Sequence, residues 1–164
     1  MEDILVIFDT LKLHININDK EKTIIINEYT EDLNIPYFME IKTSALKDAV
    51  DMLNGIEVNL SEKDFKNRED FMKENNYIIG VNHINSDNAI KFCYDRNNKI
   101  KLKYLKKIVK AIIKKVNIGN MGNILDNICS KVYTNIPEKE VAKSIKKLQN
   151  YREVVNIKWW KEIS

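Results

Sequence analysis

Between Asp95 and Asn98 the hydrophobic pattern of this 164-residue chain changes its period, and the change limits what the chain can fold into. Before it, apolar residues recur at every second position: Leu11, Leu13, Ile15 and Ile17 are separated by Lys12, His14 and Asn16. That is the spacing of a strand with one buried face. After it, Leu102, Leu105, Ile108, Val109, Ile112, Ile113 and Val116 recur at three and four, the spacing of an amphipathic helix. Two blocks with two periods read as α+β, not as all-α or all-β. The run DRNN at the boundary supplies the polar, turn-favouring residues of a connection.

Charge divides at the same place. Residues 1–98 carry 11 Lys+Arg against 19 Asp+Glu, a balance of −8; residues 99–164 carry 16 against 5, a balance of +11. Such asymmetry suggests that the two blocks face different partners, the basic one a polyanion. Lys, Asn and Ile are over-used (24, 21 and 25 residues), so a lysine-rich helix face also suits plain solvation. No apolar run approaches the roughly 18–20 residues of a membrane span, and Met1–Thr10 is acidic, without the basic start or cleavage site of a leader. These features imply a soluble intracellular, cytoplasmic protein with no membrane partner. Cys93 and Cys129 fit no ligand spacing and read as reduced core residues. His14 and His83 lack partners for a metal site or a triad, and neither GxxxxGK[ST] nor GxGxxG is present, so no metal or cofactor is expected.

In the acidic block, Leu11–Ile17 and Lys22–Glu28 predict a hairpin, and Pro36–Lys42 predicts a further strand. Thr43 or Ser44 would cap a helix carrying Leu46, Val50 and Leu53 and closed by Gly55. Glu57–Leu60 resumes as strand. Ser61 with Asp64 resembles a capping box opening a polar helix toward Asn75, and Tyr77–Val81 with Ala89–Tyr94 reads as a second hairpin around NSDN. In the basic block a helix over Lys99–Val116 places Lys103, Lys106, Lys107, Lys110 and Lys114 opposite its apolar side. Gly119 would end it. Asn120 or Asn123 would cap a second helix reaching about Tyr133, and Glu138–Asn150 would form a third, with Lys139, Lys143, Lys146 and Asn150 outward. Tyr151–Trp160 closes as strand, with Trp159 and Trp160 on opposite faces.

Three basic helices and a closing strand resemble a winged helix-turn-helix, whose third helix enters the major groove of DNA. That resemblance implies nucleic-acid contacts by Lys103, Lys106, Lys107, Lys110, Lys114, Lys139, Lys143, Lys146 and Asn150. The segment IGNMGNILDNI over Ile118–Ile128 resembles the GXXG loop of KH domains; the plainer reading, that Gly119 ends one helix and Gly122 shapes the next, is preferred. Glu40 and Lys42 resemble the ExK strand of PD-(D/E)xK nucleases, although a solvent-facing ladder is the preferred account of the pair.

The expectation is therefore an α+β protein with an acidic, mostly antiparallel sheet and short helices over 1–98 and a basic, winged-helix-like part over 99–164, as two regions or one continuous domain. Its expected work is non-enzymatic binding of nucleic acid, duplex DNA ahead of RNA, with the acidic half contacting a protein partner or a second copy. The alternatives are an interaction module or inhibitor from a virus or mobile element, and a Mg-dependent nuclease.

Overall fold

The computed structural model of the chain describes residues 3–18, 20, 23–30 and 34–140. Contacts divide it into two units, Met1–Thr43 with Lys131–Ser164 and Ser44–Ser130. The chain is α+β, as its two periods imply.

The first unit is a five-stranded sheet in the order β3-β2-β1-β4-β7, formed by β1 (Asp3–Phe8), β2 (Leu11–Asn18), β3 (Thr23–Glu28), β4 (Tyr37–Ile41) and β7 (Val132–Thr134). The hairpin of β2 and β3 forms where the alternation places it, with Ile15 opposite Ile26. The segment weighed in the sequence only as a leader is the central strand: β1 buries Ile4, Val6 and Phe8 on one face and joins β2 through Asp9 and Thr10, with Asp9 at φ 54°. A two-residue hairpin loop demands such a positive φ, which Asp tolerates. The pairing of β1 with β4 is parallel, the others antiparallel. The strand β7 is drawn in from far along the chain and held at its end by side chains. Asn135 accepts a hydrogen bond from the Phe38 amide (2.8 Å) and donates to the Pro36 carbonyl (3.0 Å), and the Thr134 hydroxyl donates to the Phe38 carbonyl.

The second unit begins with α1 (Thr43–Met52), which buries Leu46 and Val50 with Ala45 and Ala49. Gly55 ends the turn after it at φ 88°, and a Cβ there would lie 2.9 Å from the Ile84 carbonyl oxygen, so only glycine fits. A two-stranded antiparallel sheet follows, β5 (Ile56–Leu60) with β6 (Gly80–Ile84). Between them lie α2 (Glu62–Asn67), opened by the expected Ser61–Asp64 capping box, and α3 (Glu69–Glu74), so the polar helix toward Asn75 is broken at Arg68. The expected hairpin over Tyr77–Tyr94 does not form. Its first strand lies a few residues later and pairs with β5, while Asn85 caps a helix, α4 (Ser86–Cys93), that buries Ser86, Ala89, Phe92 and Cys93 at helical spacing. The Asn82 side chain accepts from the Ile78 amide (2.9 Å) and donates to the carbonyls of Ile78 (2.8 Å) and Gly80 (3.1 Å), fixing the approach to β6.

The basic helix is α5 (Leu102–Lys115), burying Leu105, Ile108, Ala111 and Ile112 and packing on α4 and β5. The next, α6 (Ile118–Cys129), starts before both glycines. Asn117 and Asn120 close a capping box around its first turn, so Gly119 ends no helix and Gly119–Gly122 is no loop. The described residues do not form the winged-helix arrangement: α6 runs into β7, which joins the sheet, before a further helix starts at Glu138. The expected helix over Glu138–Asn150 lies outside the described residues beyond Glu140, with Lys143, Lys146 and Asn150, and so does the closing strand with its tryptophans. Cys93 is buried as expected, but Cys129 is exposed. Among the described residues no helix is long and apolar enough to cross a membrane.

Candidate functional site

The lysines of α5 stand on the side opposite its buried row, as the helical period requires. They differ in their surroundings. Lys107 donates to Asp64 Oδ2 at 2.7 Å, both side chains being largely covered. Asp64 Oδ2 also accepts the Ser61 amide at 2.9 Å, so the capping box of α2 holds the carboxylate in place. Burial pushes the Asp64 carboxyl up, but the Lys107 ammonium and the Ser61 donors outweigh it and hold the group below its ordinary range. One member of the acidic set Glu62, Asp64, Glu69 and Asp70 thus meets the basic helix. The other three pair elsewhere: Glu62 with Lys66, Glu69 with Lys73 and Asp70 with Arg96.

Lys110 is pushed below its ordinary value by burial first and then by the crowding of Lys114 and Lys107, with Asp64 opposing. Lys103 is exposed, its ammonium 5.0 Å from the Tyr104 ring centre. Lys106 is half-buried and Lys114 exposed, and neither forms an ion pair among the described residues. With Lys107 and Lys114 crowding Lys110, this face carries a positive potential that a polyanion relieves.

Beside this face lies a small pocket lined by Asp64, Asn67, Arg68, Phe92, Tyr104 and Lys107. Arg68 is its floor. The guanidinium sits 3.8 Å from the Phe71 ring centre and 3.8 Å from that of Tyr104, and donates to the carbonyls of Phe92 and Tyr94, each at 2.8 Å. Those carbonyls close α4, so a cation meets the negative end of a helix and two aromatic faces at once. Burial lowers the Arg68 pKa and raises that of the neighbouring Tyr77 phenol. The Cys93 thiol is pushed up to about 12 by burial, too high for a thiolate nucleophile.

Sequence reasoning singled out the lysines of α5 and missed Arg68. A signal was present: Arg occurs three times in the chain against 24 Lys, and a planar five-donor fork kept amid lysines marks a site that needs its geometry. Lys139 is exposed and belongs to the other unit. Glu40 lies opposite Tyr133 in the register, and Lys42 falls beyond the end of β4, so the two do not share a strand as the ExK reading needs. Among the described residues no three His, Cys, Asp or Glu side chains come together to hold a metal.

Fold and site define an α+β protein with a lysine-faced helix beside a half-buried guanidinium. The chain belongs to the LytR-CpsA-Psr family (LytR_cpsA_psr), which it matches over residues 17–159. Its fold is similar to that of the Lin1025 protein from Listeria innocua, at 14% identity and TM-score 0.60, over 89% of this chain and 76% of that one. It is also similar to protein gbs0355 from Streptococcus agalactiae, at 16% and 0.60, over 88% and 72%. TagT, whose structure is known from B. subtilis, is similar in its complex with LI-WTA, at 16% and 0.57, over 87% and 72%. No curated protein matches the sequence. Membership of this family, with its TagT-like fold, overturns the nucleic-acid reading. Nucleic acid as partner, and a protein partner or second copy on the acidic half, are withdrawn with it.

Proposed function

We propose that this chain takes part in attaching cell-wall glycopolymer, and that it holds an anionic polymer of the wall teichoic acid class along Lys103, Lys106, Lys107, Lys110 and Lys114. Family membership carries the reading, supported by the fold likeness to TagT, a protein seen with LI-WTA bound. The lysine face of α5 suits such a ligand for the reason it suggested DNA: ammonium groups in a row neutralise a repeating anion and release its counter-ions. Bare charge does not distinguish one polyanion from another, which is why composition pointed to the wrong polymer. On this reading the chain works where wall polymer is made available, not in the cytoplasm.

The test is binding of purified wall teichoic acid to the full chain and to a variant with Lys103, Lys106, Lys110 and Lys114 changed to Gln. The wild type binds with an affinity that falls as salt rises, and the variant binds about tenfold or more weakly while keeping its fold. A wild type that ignores the polymer, or binds uncharged dextran equally well, overturns the reading.

A further inference from the structure

On α5, Lys107 meets a fixed carboxylate of its own unit, 2.7 Å away on Asp64. Two features show that this contact is built rather than incidental. Asp64 cannot swing off, because Oδ2 is bonded to the Ser61 amide and its own amide is bonded to the Ser61 hydroxyl at 3.1 Å. It is also near enough to Lys110 to act on that ammonium, so its negative charge lies within the field of the basic face. A tethered anion competes at a high effective concentration against any single free anion in solution. A polymer already held by Lys103, Lys106 and Lys114 presents its next phosphate at a comparable effective concentration and can displace it.

We propose that Asp64 is an internal counter-ion that competes with the ligand for Lys107, so that α5 engages Lys107 only with a multivalent polyanion. The proposal rests on the α5 reading above and adds a residue that sets its selectivity. Asp64 is a positioning residue, acting through the lysine.

The experiment compares Asp64→Asn with the wild-type full chain, using inorganic polyphosphate and wall teichoic acid as separate probes over a range of salt. Asparagine keeps an oxygen for the Ser61 amide, and Ser61→Ala serves as control, removing the capping hydroxyl while leaving the carboxylate. Asp64→Asn is expected to bind both polymers about three- to tenfold more tightly, the size of one charge at partly screened range. The slope of log affinity against log salt should steepen by about one ion, because one more lysine joins the contact; Ser61→Ala should leave both quantities unchanged. An Asp64→Asn chain that folds yet binds no more tightly, or with an unaltered slope, overturns the proposal, as does equal tightening in Ser61→Ala. If polyphosphate binds and responds to Asp64→Asn while wall teichoic acid does not bind, the proposed function falls and the counter-ion role stands. If no probe binds either protein, both fall.

Discussion

The two units treat polar groups in opposite ways. Among the described residues of the sheet unit the buried side chains are apolar, such as Ile4, Val6, Phe8, Leu11, Leu13 and Ile136, and polar contacts such as those of His14 and Asn16 with Asp3 lie on part-exposed positions. In the helical unit a guanidinium is carried between two rings and tied to backbone carbonyls, Asn82 is buried with its amide bonded, and a carboxylate meets a lysine across two helices. The consequence appears in the charges. Ser44–Ser130 holds 15 Lys+Arg against 11 Asp+Glu and the rest of the chain 12 against 13, so the contrast of −8 with +11 becomes +4 with −1. The acidic and basic stretches that sequence order separates are folded into one unit, where part of the charge is compensated internally. A block of charge in sequence is therefore a poor map of a partner-facing surface.

Substitutions can break this contrast. The largest effect is expected from Phe92→Ala in the helical unit, because Phe92 is fully buried and its ring meets Phe71, Tyr77 and Tyr104: a loss of about 3–5 kcal/mol in denaturant unfolding. Arg68→Ala should cost about 2–3 kcal/mol, since two carbonyls at the end of α4 lose charged donors. Arg68→Lys should recover less than half of that, having no fork to reach both; full recovery would show that charge and not geometry matters there. In the sheet unit, Asn135→Ala should cost only about 1 kcal/mol and should show as faster amide exchange in β7 and at Phe38, while α5 is unaffected.

The smallest effect is one of pH. Hydrogen bonds from Asn16 and His14 hold the Asp3 carboxyl below its ordinary 3.8. A carboxyl whose folded pKa is depressed adds stability above its unfolded value and loses it as pH falls through the folded one. Asp3 is partly exposed and solvent screens it, so Asp3→Asn should remove only a few tenths of a kcal/mol at neutral pH and nothing in strong acid, by thermal unfolding at pH 7 and pH 2. A difference of the size seen for Arg68 would show that the sheet unit also depends on a polar centre.

Much of the fold was legible where a local rule acts alone. Alternation marked β2 and β4, the apolar run after a polar turn marked β3, and Ser61 with Asp64 marked the start of α2. Readings failed where two rules compete within a few residues. Ala89–Tyr94 is apolar enough for a strand, but Asn85 had already committed the chain to a helix. Gly119 looked like a helix end, yet Asn117 before it and Asn120 after it form the cap. The lysines of α5 were legible as a face. Arg68 was not, because its partners Phe71, Phe92, Tyr94 and Tyr104 are brought together only by the fold. The family was not legible either: the solved structures of similar fold are only 14–17% identical to this chain.

The late arrival of β7 has a consequence for the chain as it is made. Ile41 ends β4 and Thr134 ends β7, 93 residues apart, and all of Ser44–Ser130 is synthesised between them. At roughly 5–20 residues per second, a ribosome takes about 5–20 seconds to deliver β7 after β4 has emerged. Throughout that interval the edge of β4 that will receive Val132–Thr134 lacks its native neighbour, while every residue of the helical unit becomes available to fold. An unpaired edge is open to pairing with other chains. Nascent chains stalled between residues 44 and 131 should accordingly be the most aggregation-prone lengths, and release past residue 134 should end the vulnerability.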